Sequence, residues 1–403
     1  MIQCDVCIVG SGVVGLLTAL GLSRMGFNCI LLEQGYPGSG ASLNCAGVLH
    51  SGARYAVVDP ELAERCFSSG QKLLEDYPFA IDSTKKAYYV GFSPEHYSYS
   101  KQLLDACASY NCSINYVAAE QLLAEEPKLS NAKFGLEVPD YIIDPAKLII
   151  SCLKHLKYLD TTVLCGVNII SLYHELSGWK LQVSDESQVF QINSKGLIIA
   201  AGSWSTHLLN IFLDVQLATR YINGSMIVFS KRLTNRVVSL CNTPSTGDTL
   251  VPCYGQTLAG STWRAQESFA PTCVNQNDFD EAIEKASTLI RHQYMKYCSH
   301  SYSGVRSILM DSRDDFESVS RHFPRDFYIM SGKALCKFPN LVAVFGGKLT
   351  LSQNMASAAI ASLLEQIGSK VTRPIDFSLS PTSNPLSTNL GSQDKSQIMA
   401  DIY

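Results

Sequence analysis

Three glycines at Gly10-x-Gly12-x-x-Gly15 spacing and an acid at Glu33 are the first residues of this chain that could do chemistry. Gly10 permits a tight turn after a strand, Gly12 lets a pyrophosphate approach the backbone, and Gly15 lets helix and strand pack closely. The free N–H groups and positive end of the helix that follows favour the same anion. Glu33, 18 residues past Gly15, is placed to accept hydrogen bonds from a ribose. Together these groups predict dinucleotide binding. A second stretch, Gly47-Val48-Leu49-His50-Ser51-Gly52-Ala53-Arg54-Tyr55, sets an imidazole and a guanidinium among small residues. Such a composition lets backbone lie close to a ligand, with an ordinary surface loop as the alternative. Fourteen cysteines are scattered, and only Cys4-x-x-Cys7 has ligand-like spacing. Both lie along the first predicted strand, where Cys acts as a small hydrophobe, so no metal site is expected.

The elements that must position these groups can be read from periodicity. Val6-Cys7-Ile8-Val9 is a short buried strand, residues 13–25 a helix ended by Gly26-Phe27, and residues 28–32 a second strand with Glu33 at its carboxyl end. Residues 196–202 form another buried strand ending in small residues. Residues 341–345, a Gly346-Gly347-Lys348 turn and a helix to about 367 repeat the opening strand–turn–helix unit. If both units share one parallel sheet, the nucleotide domain is discontinuous and an antiparallel part is inserted into it. Alternating apolar runs over 221–262 predict that antiparallel part. Helices are expected at 60–77, 98–110, 118–126 and 278–296, with Asp144 capping one that runs to about 156. A polar loop follows at 311–316, and the Ser- and Pro-rich stretch beyond Arg373 reads as a mobile tail.

Composition bounds the function classes. A length of 403 residues exceeds one typical core, so two domains are expected. A net charge of −4 gives no electrostatic case for nucleic acid. The apolar N-terminus lacks a basic n-region and carries Asp5, which argues against a signal peptide, and no apolar run is long enough to span a bilayer. The expected location is the cytoplasm, with peripheral contact to the cytoplasmic membrane left open.

Four blocks in order carry a resemblance: residues 9–15 with Glu33; residues 47–55 (GVLHSGARY); residues 302–306 (YSGVR); and residues 346–348 (GGK). Over about residues 3–375 the chain resembles the FAD-dependent glycerol-3-phosphate dehydrogenases, above all the anaerobic catalytic subunits, within the glycine/D-amino-acid oxidase superfamily. The resemblance implies an α/β fold. An FAD-binding Rossmann-like domain (residues 1–77, 144–210 and 300–372) would be interleaved with an antiparallel-sheet substrate domain (78–143 and 211–299). Two positions depart from the family pattern. Cys45 stands where members carry Asn, with Asn44 beside it, and Asn223 replaces a basic residue before Gly224-Ser225. The resemblance is to the part of the anaerobic enzymes before their C-terminal iron–sulfur-type domain, and no counterpart of that domain is expected in this sequence.

The implied reaction oxidises sn-glycerol 3-phosphate to dihydroxyacetone phosphate, with electrons passed to a quinone or another acceptor. The cofactor residues carried over are Gly10, Gly12, Gly15, Glu33, Ser42, Gly47, Ala201, Gly202, Gly346, Gly347, Leu349 and Thr350. A phosphorylated substrate needs a clamp, and planar guanidinium groups suit phosphate, which points to Arg54 and Arg306. His50 is expected as general base or as a hydrogen-bond partner of the flavin, against a structural histidine as the alternative. Tyr55 contributes a hydroxyl to the pocket, and Lys348, at a helix start, favours negative charge on substrate or reduced flavin. Two other readings stay open: a flavin enzyme for another small acid (an L-2-hydroxy acid or amino acid), and a non-catalytic flavin-binding subunit.

Overall fold

The computed structural model describes residues 1–244, 248–270, 273–310, 326–332, 338–369 and 374–379. β1 (Ile2–Val9), α1 (Val13–Arg24) and β2 (Cys29–Leu32) follow one another where the sequence places them. β1 and β2 pair in parallel from Val6↔Cys29 to Val9↔Leu32. Every residue of β2 is buried, as its unbroken apolar run requires of a strand covered on both faces. On the other side of β1 lies Val189–Ile199, parallel to β1, and beyond it Leu341–Gly346, parallel to Val189–Ile199. The first and last strand–turn–helix units thus share one sheet. Thr162–Leu164 pairs in parallel with β2, whereas Asn168–Glu175 and Gly178–Ser184 form an antiparallel hairpin. With Phe327–Ser331 on Leu341–Gly346, the sheet has eight strands. α1, Pro145–Tyr158 and Ser352–Gln366 bury Leu16, Leu20, Ile149, Ile360 and Leu363 in one core beneath it.

The second sheet has nine strands. Thr219–Phe229 pairs antiparallel with Cys298–Leu309 along nearly its whole length, and also with Gln256–Gly260 and Arg264–Gln266. The sheet continues through Thr249–Cys253, Val238–Leu240, Ala87–Gly91 and Phe134–Val138 to Asn115–Ala118. Val238–Leu240 and Ala87–Gly91 run parallel, unlike the rest. Because Cys298–Leu309 belongs to this sheet, the antiparallel part reaches past the expected boundary at residue 300. A third sheet of three short strands joins Val48–Leu49, Tyr141–Ile143 and Ile81–Asp82.

Several expectations are corrected. The helix predicted over 278–296 spans Gln276–Leu289. Ile290 turns extended and bridges to Leu129, which ends the helix, and a 3₁₀ turn, His292–Tyr297, follows. The helix predicted from 98 begins at Pro94, where Ser93 caps it and proline suits the first turn. The tail is not loose from its start, since Phe377 and Leu379 are buried against α1 and its neighbours. The loop 311–316 and the rest of the tail lie outside the described residues. Among the described residues no helix is long and apolar enough to cross a membrane.

Candidate active site

The carboxyl ends of β1, β2, Val189–Ile199 and Leu341–Gly346 open onto one cavity of about 870 Å³. Ligands of open parallel sheets bind at that edge, and the size falls within the range of about 300–1,000 Å³ common for small-molecule sites. Gly10, Gly12, Glu33, Ser42, Gly47, Ala201, Gly202, Gly346, Gly347, Leu349 and Thr350 all line it. Gly15 does not line it but packs beneath, where a Cβ would lie 1.8 Å from the Gly10 carbonyl oxygen. The Glu33 carboxylate accepts from the Ser11 backbone N–H (3.0 Å), the Ser11 hydroxyl (2.7 Å) and the Gly35 N–H (2.9 Å). It therefore braces the glycine turn besides facing the cavity. Ser42 Oγ accepts from the Val13 N–H at the start of α1 (3.1 Å). Asn44 donates to the carbonyls of Ser39 and Gly40, and Cys45 donates to that of Ser42. Both side chains therefore hold the small-residue loop at the cavity wall.

The opposite wall belongs to the nine-stranded sheet. Side chains alternate on a strand, so Ile222, Gly224 and Met226 share one face, and all three line the cavity. Ile222 pairs with Arg306 and Gly224 with Gly304, which brings Arg306 to the same wall. Asn223 points to the other face. Asn223 itself does not line the cavity.

His50, Arg54, Tyr55, Arg306 and Lys348 converge on this cavity. Lys348 Nζ donates to the Tyr55 hydroxyl (2.9 Å) and lies 4.1 Å from that ring's centre. A 3₁₀ turn, Leu349–Leu351, separates Lys348 from the α-helix that the sequence placed directly after it. The Tyr55 ring meets His50 edge to face, centroids 5.8 Å apart. The Thr350 hydroxyl accepts from the His50 N–H (3.1 Å).

Two carboxylates that the sequence reading did not single out complete the cluster. Arg54, nearly buried, donates to Asp248 at 2.5 Å. Burial lowers the Arg54 pKa, but the Asp248 charge and hydrogen bond outweigh it and raise it above the ordinary value. Asp140, 1% exposed, accepts from His50 Nδ1 (3.3 Å), from the Ser51 N–H and hydroxyl (2.6 Å each) and from the Tyr89 hydroxyl (2.8 Å). Burial pushes the Asp140 carboxyl up, yet the hydrogen bond and charge of His50 and the hydrogen bonds of Ser51 prevail, holding it below its usual value. In the structure Asp140 lies between strands Phe134–Val138 and Tyr141–Ile143, neither of which the sequence analysis predicts.

Residues 5–357 match the family model described as FAD dependent oxidoreductase (DAO). The chain belongs to this family. It is 25% identical over 395 residues to a component of the anaerobic glycerol-3-phosphate dehydrogenase of Escherichia coli, covering 96% of this chain and 72% of that one. The anaerobic glycerol-3-phosphate dehydrogenase component of Haloferax volcanii is 23% identical over 377 residues, covering 90% and 64%. Two solved structures share the fold at a TM-score of 0.72. Glycine oxidase from Geobacillus kaustophilus is 18% identical and covers 95% of this chain and 100% of that one. FAD-bound L-alpha-glycerophosphate oxidase from Mycoplasma pneumoniae is 17% identical and covers 94% and 98%.

FAD is the cofactor of this oxidoreductase family, and the cavity fits it. A Cβ on Gly12 would meet only Ser42 Oγ, at 3.1 Å, so the space above Gly12 is cavity rather than protein. The N–H groups at the start of α1 and the Glu33 carboxylate supply the donors and acceptor that a dinucleotide needs. Cys4 and Cys7 are buried along β1, and burial raises both thiol pKa values, that of Cys4 to about 12.

Proposed function

We propose that this chain oxidises sn-glycerol 3-phosphate to dihydroxyacetone phosphate. The observation that carries this reading is the convergence of two guanidinium groups, an ammonium and an imidazole on the cavity that fits FAD. The names of the anaerobic dehydrogenase relatives support it. Bound FAD supplies the hydride acceptor, and the protein supplies placement and charge. Arg306 and Arg54 clamp the phosphate with paired N–H donors. His50 takes the proton of the reacting hydroxyl, Tyr55 orients that hydroxyl, and Lys348 favours the negative charge that develops nearby. FAD is held by Gly10, Gly12, Glu33, Ser42, Gly47, Ala201, Gly202, Gly346, Gly347, Leu349 and Thr350, with Gly15 closing the turn from below. Residues 1–77, 144–210 and 300–372 form the cofactor part, and residues 78–143 and 211–299 the substrate part, with strand Cys298–Leu309 serving both. A quinone or another carrier takes the electrons, in the cytoplasm or at the face of its membrane.

A second reading is favoured by Asp248. Its charge offsets Arg54, which suits a singly charged carboxylate, as in a 2-hydroxy acid or amino acid, better than a phosphate dianion. Anaerobic flavin reduction separates the two. The FAD-loaded protein is mixed with glycerol 3-phosphate, glycerol, a panel of L-2-hydroxy acids and a panel of amino acids. Bleaching by glycerol 3-phosphate is expected. Bleaching by an acid alone selects the second reading, and a flavin that no member bleaches marks a non-catalytic flavin protein. In Arg306→Met, KM for glycerol 3-phosphate should rise about ten- to a hundredfold, from losing about 1.5–3 kcal/mol of charge-assisted binding.

A further inference from the structure

The third sheet sets His50 opposite Asp140. Val48 pairs with Ile142 and Leu49 with Tyr141, so one more step along each antiparallel strand brings 50 against 140. The Asp140 backbone is fixed on both sides, its N–H donating to the Val138 carbonyl and its carbonyl accepting from the Ala87 N–H. Its carboxylate is fixed as well. Oδ1 accepts twice from Ser51, and Oδ2 accepts from Tyr89 and faces His50 Nδ1. The Tyr89 hydroxyl keeps its proton to donate, because burial and then the Asp140 charge push its pKa well above the ordinary value.

We propose that Asp140 is a positioning residue that fixes the proton of His50 on Nδ1 and so leaves Nε2 as the acceptor for the substrate's hydroxyl proton. This inference rests on the reading of His50 as the base. A carboxylate only accepts, so the imidazole nitrogen facing it must carry the hydrogen. Nε2 then holds a lone pair. As the alcohol is oxidised, the proton leaves the hydroxyl for Nε2 and the hydride leaves the adjoining carbon for the flavin, giving a ketone. The imidazolium formed keeps its Nδ1–H on Asp140, whose charge it now faces at close range.

Ser51 makes the substitution Asp140→Asn informative. The Ser51 backbone N–H can only donate, so the carboxamide oxygen must take the Oδ1 place and its NH2 must face His50. Donation from that NH2 to Nδ1 moves the ring proton to Nε2, where it blocks proton transfer. The Tyr89 hydroxyl can turn to accept from the same NH2.

The test uses the FAD-loaded protein. In Asp140→Asn, flavin reduction at saturating glycerol 3-phosphate should fall about a hundred- to ten-thousandfold, the range of general-base catalysis. FAD content should hold, and so should the Kd for dihydroxyacetone phosphate, titrated by its perturbation of the flavin spectrum. The double variant His50→Ala/Asp140→Asn should be no slower than His50→Ala, because Asp140 acts only through His50. ¹⁵N spectra of histidine-labelled protein give a readout independent of turnover. The signal that His50→Ala removes from the eight histidines should report an Nδ1–H tautomer in the wild type and Nε2–H in Asp140→Asn. A wild-type Nε2–H tautomer would overturn the proposal even if Asp140→Asn fails to fold. So would a slow His50→Ala beside an Asp140→Asn of wild-type rate, or a double variant slowed by the product of both effects. A wild-type rate in His50→Ala would instead refute the base reading itself, and this inference with it.

Discussion

Lys348 holds Tyr55 in two ways, through a hydrogen bond to its hydroxyl and through the ring face. A cation so placed is attracted by the ring's quadrupole, which fixes where its charge sits. If that charge serves the reduced flavin, Lys348→Met lowers the reduction potential and slows flavin reduction even at saturating substrate. If it serves only the phosphate, the loss appears in KM, as binding shared by ground and transition states. We expect a mixed effect weighted toward kcat, since a fixed charge beside the reacting centre acts mostly on charge that develops there. Tyr55→Phe keeps the ring and loses the hydroxyl, so it should leave the potential closer to wild type. Potentiometry and steady-state kinetics on both variants check this, and wild-type values of potential, kcat and KM in Lys348→Met would reduce Lys348 to a turn residue. Arg54 is held more rigidly. Asp248→Ala removes the carboxylate that offsets the buried Arg54 charge, and urea unfolding should show a loss of about 3–5 kcal/mol. A loss below about 1 kcal/mol would mean that solvent or other groups already compensate Arg54.

The glycine turn between β1 and α1 uses its three glycines for different reasons. Gly10 has φ +99, and a Cβ there would sit 2.6 Å from the Ala200 carbonyl oxygen, so Gly10→Ala should damage the fold itself. Gly15→Ala would drive its Cβ into the Gly10 carbonyl. A Cβ on Gly12 would press only on the Ser42 hydroxyl, at 3.1 Å, which a small shift of that side chain relieves, so Gly12→Leu should fold and melt cooperatively yet carry no FAD. Circular dichroism and flavin absorbance together test the contrast, and a Gly12→Leu protein that purifies yellow would refute the assignment. This turn was legible because its rules are short-range, with strand, turn, helix, strand and acid all complete by Glu33. The same holds for Asp144, which caps Pro145–Tyr158 as its position before proline suggests. Asp140 was not legible, because its contact with His50 is made by strand register across 90 positions. The Arg54–Asp248 pair spans 194 positions, and no local pattern announces such a meeting. The helix end at Leu289 was missed for a related reason. Its apolar period continues, but Ile290 is extended and bridges to Leu129, 161 positions away, a contact that no local pattern shows.

At the scale of the whole chain, one cavity is walled by residues from Val9 to Met355 and by both large sheets. A ligand that fills it binds the folded state alone and stabilises it by RT ln(1 + [L]/Kd), about 2.7 kcal/mol at a hundredfold excess over Kd. The wild type should therefore melt several degrees higher with FAD than without, and the increment should grow with FAD concentration. Gly12→Leu should show none. The tail contributes separately. Phe377 and Ile375 lie against Gly21 on α1, so close that a Cβ there would meet them at about 3 Å. Phe377→Ala should cost about 3–5 kcal/mol, the usual penalty for emptying a large aromatic site. Gly21 is nine residues along α1 from Gly12, or about 13 Å at 1.5 Å per residue. Sites farther apart than about 7–10 Å that share no partner add within about 0.5 kcal/mol. Phe377→Ala should thus lower Tm with and without FAD alike and leave the FAD increment intact. Melting curves over a range of FAD concentrations decide this. An increment that shrinks in Phe377→Ala would mean that α1 transmits tail packing to the nucleotide turn, and that the two ends of the helix act as one unit.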